Sequence, residues 1–179
     1  MSQLSGANSK FDVITHDPHP NALAGLMLVL DPDPTLLPTP PFNTEGTPVP
    51  GPFQPGQVVM MDANGNAVLG VAPLAAVGVP VMPFVTVDGD SDLDGAAMHR
   101  LTCIHGGLEI ITPYFEVPGV ALTPGTPLTF GITTAGNFEE RAGGAATGQI
   151  YGFVGPQGQF QEDGIDLLDV IIPQNTGLF

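Results

Sequence analysis

The sequence predicts a mainly β protein, an antiparallel β-barrel or β-sandwich of short strands with an extended proline-rich N-terminal arm. Three observations predict this. The 179 residues include 24 Gly and 20 Pro, enough to punctuate the chain into many short elements. Apolar runs of roughly four to eight residues recur between turn signals, the pattern of strands. No stretch carries the apolar repeat of a long amphipathic helix; "DGAAMHRL" makes one helical turn at most. Hydrophobic residues at 42% exclude wholesale disorder, and the length suits one domain with or without an arm.

Residues 1–56 form the predicted arm and 57–179 the β domain. In the arm, the apolar run Ala22–Leu30 is short and reads equally as strand or helix. It is followed by "DPDPTLLPTPPFNTEGTPVPGPFQPG", 26 residues with nine prolines. Such a stretch cannot pair as a central strand and leans to polyproline II. Fully extended it spans about 80 Å, so it is expected to lie on a neighbouring surface.

From Gln57 the pattern is β. "QVVMMDANGNAVLGVA" is two apolar runs around Asn64-Gly65, a hairpin turn pair. The uncharged stretch Ala67–Val87 is long enough for a membrane span. Pro73, Pro80 and Pro83 would break such a helix, so buried strands and turns are expected instead. "VMPFVTVDGD" ends a strand in an acidic turn, and "HRLTCIHGGLEIITPYFEV" holds two runs split by Gly106-Gly107. "LTPGTPLTFGIT" restarts a strand after Pro124-Gly125. "TAGNFEERAGGAATG" reads as a polar hairpin tip or mobile loop, and "GQIYGFVG" and "IDLLDVIIP" supply the last strands. Seven to nine strands are expected. "FQPGQVVMMDANGNAVLGV" and "LTPGTPLTFGITTAGNFEE" both run Pro-Gly, strand, Gly-Asn turn, strand. That echo fits a duplicated hairpin, and it also fits any hairpin that begins at Pro-Gly.

Charge and composition exclude several functions. The net charge is −15 with only Lys10, Arg100 and Arg141 as cations. No nucleic acid is expected as a partner, because phosphate contacts need clustered Lys and Arg, and no anionic membrane either. The start lacks a basic segment leading into an apolar one, so no signal peptide is expected. One cysteine, Cys103, forbids an intramolecular disulfide and reads as a buried small hydrophobe.

Metal chemistry has two candidates. In "DGDSDLDG", Asp90, Asp92, Asp94 and Gly95 match the first half of a calcium loop. The twelfth position is Leu101 rather than a bidentate Glu, so the EF-hand assignment fails. What is left is a weak calcium site at Asp90, Asp92 and Asp94 completed by remote oxygens, or a soluble acidic turn. His99, His105 and Glu109 have a faint likeness to the metal ligands of cupin barrels, but the paired histidines and second motif of that family are missing. His16 and His19 are kept off a common helix face by prolines. No Gly-x-Ser-x-Gly elbow or phosphate loop is present. An enzyme is not expected, and neither is a cofactor beyond calcium.

"PGQVVMMDANGNAVLGVAPLAAVGV" and "LTPGTPLTFGITTAGNFEERAGGAATGQIYGFV", followed by "LLDVIIP", together resemble the capsid decoration (cement) proteins of tailed bacteriophages. The resemblance covers roughly residues 53–172. It implies a small β-barrel domain in a virion protein on the capsid outer surface. It also implies a homo-oligomer, with a trimer favoured, whose partner is the major capsid (coat) protein and whose role is capsid stabilisation. The alternatives are an extracellular β-module, adhesin or fibre-associated, that binds calcium, and a cupin-like metal enzyme.

Overall fold

The computed structural model describes residues 12–14, 26–31, 33, 35, 53–71, 83–86, 101–117, 119–141 and 150–173. The chain is mainly β, with two antiparallel sheets and no helix among the described residues. The strands are β1 (Asp12–Ile14), β2 (Leu26–Leu30), β3 (Val58–Met61), β4 (Ala67–Leu69), β5 (Pro83–Thr86) and β6 (Leu101–His105). They continue as β7 (Leu108–Thr112), β8 (Pro127–Phe130), β9 (Phe138–Glu140), β10 (Gly152–Glu162) and β11 (Ile165–Ile172). One sheet has the order β1-β7-β11-β10-β8-β9 and the other β2-β6-β5-β3-β4.

Turn chemistry places the strands as expected at two points. Asn64-Gly65 closes the β3–β4 hairpin with Gly65 at φ 86°, and Asp62 Oδ1 accepts the Asn64 and Asn66 N–H groups at 2.8 Å each. Gly106 and Gly107 both sit at φ 68°, a left-handed pair that only glycine adopts cheaply. They make a corner rather than a hairpin: β6 stays in the five-stranded sheet and β7 enters the six-stranded one.

Apart from β1, the two sheets repeat each other. The order β2-β6-β5-β3-β4 is matched by β7-β11-β10-β8-β9, and the registers correspond pair by pair. Leu26↔His105 is matched by Leu108↔Ile172, Val59↔Leu69 by Leu128↔Glu140, and Val85↔Ile104 by Phe153↔Ile171. The connecting hydrogen bonds repeat as well. Gly56 N–H donates to Thr86 O at 2.8 Å, and Gly125 N–H donates to Val154 O at 2.8 Å. After β2, Asp33 N–H and Asp31 O bond Ala67 on the far edge strand β4; after β7, Glu116 N–H and Tyr114 O bond Phe138 on β9 in the same way. Each five-stranded set therefore curls until the chain just past its first strand meets its last strand through two hydrogen bonds, without a full ladder to close a barrel. The echo between the two Pro-Gly hairpins extends to whole five-stranded units.

The core explains the sequence pattern of the first unit. Val58, Met60 and Val85 pack with Leu128, Phe130, Leu168 and Val170 of the second unit. On the opposite face of the same strands, Phe53, Val59, Phe84, Leu101 and Cys103 form a second cluster. A sheet buried on both faces demands apolar residues at successive positions, which is why β3 reads Val-Val-Met-Met. The burial of Phe53, fully enclosed, contributes about 1.5–3 kcal/mol.

One expectation is corrected. "TAGNFEERAGGAATG" is not wholly a loop: Phe138–Glu140 is strand β9, and Phe138 is fully buried. Its polarity misleads because Glu139, 6% exposed, turns inward to accept the Thr133 N–H at 2.7 Å. Two strands also come from the segment read as an arm, since β1 pairs with β7 and β2 with β6. Most of the proline-rich stretch lies outside the described residues, and so do the calcium candidates Asp90, Asp92 and Asp94.

Candidate functional site

Three places in the fold carry more structure than a plain core requires. The first is the joint between the two units. The turn after β8 inserts into the end of the β3–β4 hairpin: Val58 N–H donates to Gly136 O at 2.8 Å, and Gly136 N–H donates to Gly70 O at 2.9 Å. Gly131, at φ 64°, lies so close to Gly70 that a Cβ would run into the Gly70 carbonyl. A Cβ on Gly70 would in turn meet Phe130 at 2.9 Å. Thr112 Oγ1 adds a bond to Gly56 O at 3.0 Å. Backbone meets backbone here because three glycines remove what would hold the units apart.

The second is Asp169 on β11, which is fully buried. Gln157 N–H donates to its Oδ2 at 2.9 Å, whereas Oδ1 has no hydrogen-bond partner. Gly155 leaves the room: a Cβ there would occupy the space of the carboxylate. The register of β10 against β11 slips between Val154 and Gln159, and this bulge brings the Gln157 amide to the acid.

The third is the pair of equivalent loops between β2 and β3 and between β7 and β8. Both ends of the first are held, by the Asp31 and Asp33 bonds to Ala67 and by buried Phe53. The second is short and apolar: Val117 is 41% and Val120 75% exposed, and Gly119 turns at φ 82°. No known protein family, no curated protein and no solved structure matches this chain.

The histidine and cysteine candidates are structural where they are described. His105 Nδ1 lies 2.7 Å from Pro83 O, so it carries the proton and donates, and its ring meets Phe84 edge-on at 5.7 Å. Glu109 is buried in the other sheet, so the two cupin-type candidates belong to different sheets. His16, His19 and His99 lie outside the described residues. Cys103 is buried, with Sγ 3.7 Å from Leu101 O, as a small core residue. Among the described residues no three metal-type ligands gather, and no helix is long and apolar enough to cross a membrane.

Sequence reasoning missed Gly131, Gly136 and Asp169. The glycines read as turn residues, and nothing local marks a close approach between distant hairpins. Asp169 did carry a signal, a lone acid inside the apolar run "LLDVII".

Tyr151 gives a test of the core. Its ring stacks on Phe138 at 6.0 Å and meets Phe130 edge-on at 5.5 Å. Its hydroxyl has no hydrogen-bond partner, and burial pushes its pKa well up. An unpaired buried hydroxyl costs about 1–3 kcal/mol, so Tyr151→Phe is expected to leave stability unchanged or raise it by about 1 kcal/mol. Urea unfolding checks this; a loss above about 1 kcal/mol would show that the hydroxyl is bonded.

Proposed function

We propose that this chain is a structural virion protein that binds the outer surface of an assembled phage capsid as an oligomer and stabilises it. The observation that carries the reading is the proline-rich loop between β2 and β3. It takes, in the first unit, the place of the shorter connection, residues 113–126, that joins β7 to β8 in the second, and the β body holds both of its ends. A segment rich in proline loses little entropy on docking because its φ angles are already set. Anchored at both ends, it suits a strap laid across neighbouring coat subunits. The exposed Val117–Val120 turn in the second unit supplies an equivalent, smaller contact.

The charge supports a protein partner over a nucleic acid. With three cations against eighteen carboxylates, the chain repels DNA and leaves recognition to apolar and backbone contacts. Mixing the full chain with assembled capsids and sedimenting them through a gradient tests the proposal. Co-sedimentation at a fixed ratio to the coat protein, lost when the capsids are dissociated, is the expected result. A folded chain that stays at the top of the gradient at every concentration would overturn it.

A further inference from the structure

The duplicated plan has one position that is filled in the second unit and open in the first. In the second unit β1 pairs with the outer edge of β7, from Asp12↔Ile111 to Ile14↔Glu109, just before the chain bonds Phe138 on β9. The equivalent stretch of β2 is residues 27–29, just before the chain bonds Ala67 on β4. Among the described residues no strand pairs with that side of β2. The bonds that follow show which groups face it. Asp31 O and Asp33 N–H both point to the β4 side, and backbone groups alternate sides along a strand. Met27 and Val29 therefore turn their N–H and C=O away from β6, whereas Leu28 turns its own toward β6.

The other sheet edges are protected and this one is not. β4 is tied at Ala67, and β9 is tied at Phe138 and carries Glu139 and Glu140. β1 is three residues long and begins with Asp12. Short length, charge and cover keep an edge from taking a further strand. β2 is Leu-Met-Leu-Val-Leu, with no charge, no proline and no break in its register with β6. Such an edge is a template for β-augmentation, in which main-chain bonds to an added strand supply the affinity.

We infer that residues 27–29 of β2 are a docking edge for an extended strand of the coat protein, added antiparallel as β1 is added to β7. Three facts choose that occupant. This chain's β1 is already committed to β7. β2 of a second copy is held in its own sheet, and pairing the two edges would bring together chains of net charge −15. The edge also runs directly into the bonds at Asp31 and Asp33 where the proline-rich loop begins, so a coat subunit lying under the loop reaches both. This rests on the proposed function and names the contact on the β body.

Hydrogen exchange of the full chain, free and on assembled capsids, tests it. Capsid binding is expected to slow exchange at the Met27 and Val29 amides by about tenfold or more, while Leu28, already bonded to β6, changes little. Val29→Pro removes an outward donor that the β6 ladder does not use, which an edge strand tolerates. It is expected to weaken attachment about tenfold with the thermal transition kept, whereas Leu28→Pro, which breaks the ladder, is expected to cost the fold. Attachment with the Met27 and Val29 amides exchanging as in the free chain overturns the inference and leaves the virion reading standing. So does full-strength attachment by folded Val29→Pro. Protection of the same amides in the free chain as its concentration rises would put a second copy on the edge, and it also overturns the inference. A folded chain that never sediments with capsids overturns both readings.

Discussion

Gly131→Ala is expected to destabilise the fold by about 2–5 kcal/mol, a large loss for a single methyl group. Two causes add. At φ 64° a non-glycine residue costs about 1–2 kcal/mol. The new Cβ would also enter the space of the Gly70 carbonyl, and that carbonyl is tied to the Gly136 N–H. Moving it breaks the Gly136 N–H to Gly70 O bond of the splice between the units, at about 1–3 kcal/mol for a buried pair left unsatisfied. Gly125→Ala is the control. Its φ is 83°, but a Cβ there would meet nothing within 4 Å, so only the backbone cost of about 1–2 kcal/mol applies. Urea unfolding of both variants separates the terms. Equal losses would mean that the joint yields easily and the glycine contact matters little.

That comparison also shows what the sequence could and could not reveal. Each hairpin was legible because its signal is local. Asn64-Gly65 and Pro124-Gly125 dictate turns whatever surrounds them, and the runs beside them have the length and residues of strands. The two-unit plan was half legible, since the repeated Pro-Gly and Gly-Asn signals mark hairpins. The matching of β2 with β7 and of β6 with β11 leaves almost no shared residues to read. β2 reads Leu-Met-Leu-Val-Leu and β7 Leu-Glu-Ile-Ile-Thr; one register accommodates both because pairing runs through the backbone. β9 was hidden by its charge. Glu139 looks solvated until the Thr133 amide beside it is known, and Phe138 beneath it is core. The acid-rich "DGDSDLDG" drew attention by composition. The close approach at Gly131 drew none, because a glycine chosen for what it lacks resembles one chosen for its φ.

Replacing the proline-rich loop and deleting the whole N-terminal segment are expected to give opposite results. Deletion of residues 1–50 removes β2, which pairs along five residues with β6, and the Asp31 and Asp33 bonds that fasten β4. The first unit would then expose two strand edges, β6 and β4. A four-stranded remnant with its second core cluster opened is expected to aggregate or to lose cooperative unfolding. Replacing residues 36–51 with about three residues, which matches the β2–β3 connection in length to residues 113–126 between β7 and β8, leaves β2, both anchors and Phe53 in place. Loop-closure entropy changes slowly with length, so this variant is expected to keep its stability within about 1 kcal/mol. Under the proposed function it should nonetheless lose capsid attachment by at least tenfold, because the strap is gone while the body is intact. Thermal unfolding and capsid sedimentation, run on the same preparation, decide the matter. Attachment at full strength by the shortened, folded chain would move the binding surface to the β body and away from the proline-rich loop. Cooperative unfolding by the 1–50 deletion would instead mean that β2 is dispensable, and the segment would then act as the tether that its composition first suggested.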